Sequence, residues 1–155
     1  PDAQLAPKMT PEFVDEMVAT NLTSLFHLAS EVTRRLVKAE LPGRIVNISS
    51  SAAYNAGIGT SWYAITKGAV VRMTEVLALE FAKYNVNVNC IAPGAFESEM
   101  MDGMLERMGD ITQGFPRKRL GTPSQLDSTL LYLVSPSSDF VSGATIRVHD
   151  AQGAN

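Results

Sequence analysis

The sequence has 155 residues, of which 45% are apolar and 19% charged, and this size and composition predict one globular domain without an internal boundary or repeat. A net charge of −3 argues against binding to nucleic acid or anionic lipid, a single cysteine excludes an intrachain disulfide, and two distant histidines provide no metal site. No apolar run approaches the roughly 18 residues of a membrane span and no signal pattern opens the chain, so we expect a cytoplasmic protein.

The first predicted element is a long helix over residues 11–38. Thr10 can cap its free amides and Pro11 suits the first helical position. Apolar residues then recur at helical spacing until Pro42 and Gly43 end the pattern. We therefore expect one continuous amphipathic helix here.

Two strands and a second long helix are predicted next. Residues 44–49 are short and rich in β-branched side chains, which is typical of a strand buried on at least one face. A helix is predicted over residues 61–84. The following strand covers residues 86–91 and is closed by Pro93 and Gly94.

The remaining chain predicts a flap, a helix and a strand. Residues 96–120 contain four methionines among Gly and Pro and have weak helical periodicity, which indicates short helical pieces, either as a substrate flap or as core filling. The basic stretch 117–119 is interpreted as a solvated loop. A helix over 123–133 and a strand over 144–148 complete the pattern. Alternating strands and helices predict an α/β fold with a doubly wound parallel sheet and flanking helices, although three strands are few for such a sheet.

Tyr63 and Lys67 are the first candidates for chemistry. They lie four residues apart at the start of the second helix, so their side chains share one face. A cation one turn away and the helix N-terminus both favour the phenolate form of the tyrosine. The pair could therefore act as a general acid and base, although the same spacing is usual on ordinary helix surfaces.

Ser50 is the third candidate. It directly follows the predicted strand, whose last apolar residue is Ile48, and it stands thirteen residues before Tyr63. Ligands of parallel α/β sheets gather at the carboxyl ends of strands, where a hydroxyl can bind a substrate oxygen as negative charge develops. A simple serine-rich turn is the alternative. A serine hydrolase is not indicated because no Gly-x-Ser-x-Gly elbow surrounds Ser50.

Taken in order, these segments resemble the short-chain dehydrogenase/reductase family. The resemblance covers about residues 10–148, and no single motif decides it. The matching segments are residues 21–23, 43–50, the Tyr63-x-x-x-Lys67 motif, 89–94, 121–123, 131–135 and 141–143. The resemblance implies a partial Rossmann-like fold and an NAD(P)-dependent oxidoreductase that interconverts a small-molecule carbonyl and an alcohol.

The resemblance also implies roles for four catalytic residues. Tyr63 would be the general acid in reduction and the general base in oxidation, with Lys67 favouring its phenolate and binding the nicotinamide ribose. Ser50 would hold and polarise the substrate oxygen. Asn21 would anchor a water that links Lys67 to solvent.

The nicotinamide would contact a further segment by the same resemblance. This segment is Pro93, Gly94, Ala95 and Phe96, whose backbone would meet the carboxamide, together with Ser98, where the family usually has a threonine. NAD and NADP both remain open. The family's Gly-rich first turn, which cradles the pyrophosphate, has no counterpart here, and Gly57-Ile58-Gly59 is no substitute. The chain also departs from the family's last segment after Val148.

Two alternatives stay open beside the dehydrogenase. One is a non-catalytic half-domain that acts as an interaction module, and the other is an epimerase or dehydratase that uses the same Tyr63 and Lys67. The family commonly pairs its two long helices with those of a second subunit. We therefore expect a homodimer or homotetramer through the helices near 11–38 and 61–84.

Overall fold

A computed structural model describes residues 5–153 of the chain. Five helices and three strands follow one another in the order expected for an α/β fold. They are α1 (Pro11–Val18), α2 (Ser24–Lys38), β1 (Gly43–Ile48), α3 (Ser61–Phe81), β2 (Val86–Pro93), α4 (Glu99–Met108), α5 (Asp127–Val134) and β3 (Thr145–Val148). Within the described range, no helix is both long enough and apolar enough to cross a membrane.

The three strands form one parallel sheet in the order β1-β2-β3. Gly43 pairs with Val86 at one end of β1, and Pro93 pairs with Val148 at the end of β2. Because the strands are parallel, all three carboxyl ends lie at one edge of the sheet. The α/β prediction with a parallel sheet is confirmed.

The core lies mainly between β2 and the long helices. Leu77 and Phe81 of α3 pack with Ala29 of α2 and with Val86 and Val88 of β2. The opposite face of β2 is covered as well. Asn89 and Ile91, which alternate with the valines and so point the other way, are each only 1% exposed, and α5 contacts both β1 and β2.

Several predicted boundaries differ from the structure. The long helix predicted over 11–38 is divided by a π-helical turn at Ala19–Thr23, which separates α1 from α2. The helix predicted over 61–84 ends its α-helical part at Phe81 and continues as a 3₁₀ turn. Thr10 caps α1 as expected, since its Oγ1 accepts a hydrogen bond from the Phe13 amide.

The flap region is more regular than its periodicity predicts. Residues Glu99–Met108 form the ten-residue helix α4, and a 3₁₀ turn follows at Ile111–Gly114. The side chain of Ser98 starts α4 by accepting a hydrogen bond from the Met101 amide at 3.2 Å. An N-cap of this kind offsets the poor helix propensity of a segment with an internal glycine.

Candidate active site

Ser50 lies at the carboxyl end of β1, as the sequence predicts. The preceding residue, Ser49, fixes the strand end to α3 because its Oγ donates to the Lys67 carbonyl oxygen at 2.7 Å. The Ser50 Oγ accepts a hydrogen bond from the Ala52 amide at 3.1 Å. Its hydroxyl hydrogen therefore remains available to donate to an oxygen of a bound molecule.

Tyr63 and Lys67 occupy the first two turns of α3. The start of this helix is anchored to α1 by Trp62, whose indole Nε1 donates to the Val14 carbonyl oxygen at 3.2 Å. The Lys67 Nζ lies 5.7 Å from the centre of the Tyr63 ring. It also donates to the Ile48 carbonyl oxygen at 3.2 Å. Lys67 thus lies between the Tyr63 ring and the end of β1.

Burial perturbs the ionisation of Lys67. Loss of water lowers the pKa of its ammonium below the ordinary lysine value, and the nearby Cys90 opposes this shift in part. Cys90 itself is fully buried, and burial raises the pKa of its thiol. The Lys67 ammonium is therefore a stronger acid than that of a solvated lysine, and burial favours the protonated form of the nearby thiol.

The four candidate catalytic residues divide between two cavities. Ser50, Tyr63, Gly94 and Ala95 line one cavity of about 250 Å³. Asn21 and Lys67 line a second cavity of about 400 Å³ that follows β1. One cavity is therefore lined by four hydroxyl-bearing residues, Ser50, Ser51, Thr60 and Tyr63, and the other by the cation and the amide.

Asn21 lies in the π-helical turn between α1 and α2. Its Nδ2 donates to Thr66 Oγ1 at 3.1 Å, and this hydroxyl in turn donates to the Tyr63 carbonyl oxygen at 2.9 Å. Asn21 is thus tied to the Tyr63 turn of α3 through Thr66. Thr66 is only 2% exposed, and no motif in the sequence marked it. Isolated π turns recur at functional sites because the extra residue redirects a side chain.

The backbone of the turn at Pro93–Phe96 is hydrogen-bonded to three other segments of the chain. Gly94 N donates to the Val148 carbonyl oxygen at 2.8 Å, and Ala95 accepts at its carbonyl oxygen from Gly121 N at 3.0 Å. Ala95 N donates to a side chain, Gln152 Oε1, at 2.7 Å. Phe96 packs its ring against Gly121, where an added Cβ would come within 2.6 Å of it. Within this turn, the described contacts give the Phe96 amide no acceptor.

The tail after β3 supplies residues that sequence reasoning missed. Gln152 is 7% exposed, and its side chain reaches both Ala95 and the Arg119 carbonyl oxygen. Asp150 pairs with Arg117 at 3.2 Å and with Arg119 at 2.7 Å. The basic stretch is exposed as interpreted, but it also ties the tail to the segment after α4. No local pattern predicts these contacts, because the partners are about thirty to sixty residues apart.

The described residues contain no cluster of three or more His, Cys, Asp or Glu side chains that could hold a metal ion. The candidate residues themselves offer hydroxyls, an ammonium and backbone amides. Ser50 can donate to an oxygen, Tyr63 can exchange a proton, and Lys67 can stabilise a phenolate.

Comparison with known proteins agrees with the fold. A family model described as enoyl-(acyl carrier protein) reductase matches residues 3–150. The chain is 35% identical over 137 residues to 2-dehydro-3-deoxy-D-gluconate 5-dehydrogenase of Dickeya dadantii. It is 32% identical over 142 residues to 3-oxoacyl-[acyl-carrier-protein] reductase of Chlamydia muridarum. These matches cover 86% and 91% of the chain but 54% and 57% of the relatives, so the chain spans about half their length.

Solved structures of other proteins share the fold of this chain over nearly its whole length. A gluconate 5-dehydrogenase from Burkholderia cenocepacia, solved with NADP and tartrate, superposes with a TM-score of 0.92 and 28% identity. The superposition covers 99% of this chain and 61% of that one. With a family match over nearly its whole length and this shared fold, the chain belongs to the short-chain dehydrogenase/reductase family.

Proposed function

We propose that the chain forms the catalytic part of an NAD(P)-dependent oxidoreductase that interconverts a carbonyl compound and an alcohol. The observation that carries the proposal is the cavity shared by Ser50 and Tyr63, with the Lys67 ammonium beside the Tyr63 ring. A hydroxyl donor, a phenol and a cation at the carboxyl ends of parallel strands are the groups that protonation of a carbonyl oxygen requires.

In reduction, Ser50 donates a hydrogen bond to the carbonyl oxygen and Tyr63 transfers its phenolic proton to the same oxygen. The hydride that the carbonyl carbon accepts would come from a reduced nicotinamide held beside these residues. Lys67 stabilises the phenolate that remains, and its lowered pKa suits it to return a proton. In oxidation the Tyr63 phenolate removes the proton of the alcohol. Asn21 holds the water that connects Lys67 to solvent.

The residues present fit a nicotinamide. The Phe96 amide, which has no acceptor among the described contacts, suits the carboxamide oxygen. Lys67 uses one of its three ammonium donors on the Ile48 carbonyl oxygen and keeps the others for ribose hydroxyls. Ser98 accepts from Met101 and can still donate its own hydrogen to the same end of the cofactor. We propose these residues, with Pro93, Gly94 and Ala95 shaping the turn, as the chain's cofactor contacts.

The cofactor's pyrophosphate needs a Gly-rich turn and a helix N-terminus that the sequence does not show. We therefore expect residues 1–155 alone to bind NADH and NADPH more weakly than about 1 mM in calorimetric titrations. A polypeptide that adds such a strand–turn–helix segment should bind one of them and oxidise it with a ketone. Micromolar binding by residues 1–155 alone would contradict this division of the site.

The assay of NADH or NADPH oxidation with a ketone also separates the dehydrogenase from the two alternative functions. An interaction module would show no oxidation of NADH or NADPH with any ketone, even when the Gly-rich segment is present. An epimerase or dehydratase would convert its substrate without net change in the absorbance of the reduced nicotinamide. Net oxidation coupled to alcohol formation supports the dehydrogenase and contradicts both.

We also propose that the complete protein forms a homodimer or homotetramer through α1–α2 and α3. A groove of about 420 Å³ between α2 and α3 is lined by Phe26, Ala69 and Met73 among others. Leu28 is 63% exposed and Leu79 is 80% exposed on the same two helices. Apolar surface of this kind is typical of helix pairing between subunits. Light scattering at micromolar concentration should give at least twice the monomer mass, and a monomer would contradict the proposal.

A further inference from the structure

The cavity lined by Ser50 and Tyr63 also has a wall that consists largely of apolar side chains. Its hydroxyl-bearing side comes from the loop after β1 and the start of α3. Gly94 and Ala95 of the turn after β2 adjoin it, and the other side comes from α1, α4 and the segments beside them. That other side consists of Met9, Phe13, Met17, Met100, Met101, Met104, Arg107 and Ile111.

Five of the seven methionines in the chain line this one cavity. The two others lie elsewhere, since Met73 lines the groove between α2 and α3 and Met108 is 66% exposed at the end of α4. Thioether side chains are flexible and polarisable, so they adapt to apolar groups of different shape. Together with the hydroxyls of Ser50, Ser51, Thr60 and Tyr63, they make the cavity amphipathic.

The geometry points to a substrate class, and we propose that the cavity takes a ketone or secondary alcohol with an unbranched aliphatic or aromatic arm. The oxygen lies at Ser50 and Tyr63, and the arm lies against the methionines. This inference deepens the proposed function and rests on it only for the placing of the oxygen. A cavity of about 250 Å³ is larger than the roughly 150 Å³ apolar cavity that holds a benzene molecule, so an arm of about six to eight carbons fits.

A polyhydroxylated acid is the contrasting class, because two of the relatives are named for sugar acids. Each additional hydroxyl would lose its water against a thioether that is only a weak acceptor. Arg107 is the charged side chain in the lining and is itself exposed to solvent. The wall formed by Phe13, Ile111 and the methionines therefore selects against hydroxyls along the arm.

The test is an NMR titration that follows ligand binding at the methionine methyl groups. It needs neither cofactor nor turnover. Residues 1–155 are labelled with ¹³C at the methionine methyls, and each signal is assigned by a Met→Leu variant. 2-Octanol is titrated in, and D-gluconate is titrated separately as the polar comparison. We expect saturable shifts of the lining methionines with 2-octanol, unchanged Met73 and Met108 signals, and no saturable shift with D-gluconate.

Met73 is the control for non-specific binding of 2-octanol to apolar surface, because it lines the largely apolar groove between α2 and α3. Equal shifts at Met73 and in the cavity, saturable binding of gluconate in the cavity, or no shift with 2-octanol would each overturn the inference. The proposed function fails separately if 2-octanol binds as described and the complete protein transfers hydride neither to 2-octanone nor to any other ketone tested. Turnover of a sugar acid without turnover of 2-octanone would overturn the substrate class alone.

A matched pair of variants on α4 sharpens the result. Met104→Glu places a carboxylate in the cavity, whereas Met108→Glu places one a turn later on the exposed end of the same helix. We expect 2-octanol to bind at least about tenfold more weakly to Met104→Glu and unchanged to Met108→Glu. Met104→Gln replaces the first variant if thermal unfolding shows that Met104→Glu is not folded. Equal affinity of the Met104 and Met108 variants would contradict the placement of the arm.

Discussion

Tyr63→Phe is expected to lower kcat of the complete oxidoreductase by about 10²–10⁴-fold, the usual contribution of a general acid and base. The substitution removes only the phenolic hydroxyl, so the ring remains beside the Lys67 ammonium. Packing against α1 and the first turn of α3 should persist for the same reason. We therefore expect cofactor affinity and thermal stability to change little while turnover is lost.

Tyr84→Phe is the matched control for this prediction. Tyr84 also carries a lysine over its ring, with the Lys83 Nζ 4.9 Å from the ring centre, but it is 39% exposed and follows the far end of α3. Its substitution removes the same atom from a similar lysine–tyrosine contact outside the site, so kcat should be unchanged. Steady-state kinetics and cofactor titration on both variants make the comparison. Turnover retained by Tyr63→Phe would remove the phenol from the mechanism.

The sequence predicts the positions of Ser50, Tyr63 and Lys67 in the fold because the signals for them are local. Tyr63 and Lys67 are one helical turn apart, and Ser50 ends a strand whose β-branched run is easy to recognise. Parallel strands bring their carboxyl ends to one edge, so Ser50, Tyr63 and Gly94 reach the same cavity although up to 44 residues separate them. Local pattern and sheet topology together account for the placement.

Other features have no local signal. The π-helical turn at Ala19–Thr23 contains neither glycine nor proline, so the periodicity of residues 11–38 reads as an unbroken helix. The link from Asn21 to Thr66 spans 45 residues. In the tail, Asp150 and Ala151 adopt positive φ values of 48° and 62°, which are uncommon for residues other than glycine. Tertiary contacts stabilise these conformations, and a single sequence does not encode those contacts visibly.

Gly94→Ala is expected to destabilise the chain by about 2 kcal/mol, the range for overpacking in a filled site. A Cβ at Gly94 would lie 2.4 Å from Gln152 Oε1 and 2.9 Å from the His149 Cα. The glutamine side chain can swing away, but the His149 contact involves backbone, so the tail itself must move. That movement would break the bond from Ala95 N to Gln152, because both clashes come from the tail.

Gly68→Ala is the matched control, since its Cβ would meet nothing within 4 Å and its position is inside α3. It should raise stability by up to about 1 kcal/mol, the advantage of alanine over glycine in a helix. Thermal unfolding should therefore place the midpoint of Gly94→Ala roughly 5–10 °C below that of Gly68→Ala. Equal midpoints would show that the tail does not hold the Pro93–Phe96 turn.

The Gln152→Ala variant separates the two clashes that a Cβ at Gly94 would make, one with Gln152 and one with His149. Alone it removes the hydrogen bond to Ala95 N, at a cost of about 1 kcal/mol. Combined with Gly94→Ala it also removes the closest clash but leaves the His149 contact, so the double variant should be more stable than the sum of the single effects predicts. In the complete enzyme the same variants should weaken nicotinamide binding, because the turn that offers the Phe96 amide is positioned by the tail. Additive stability effects together with unchanged cofactor affinity would separate the tail from the site.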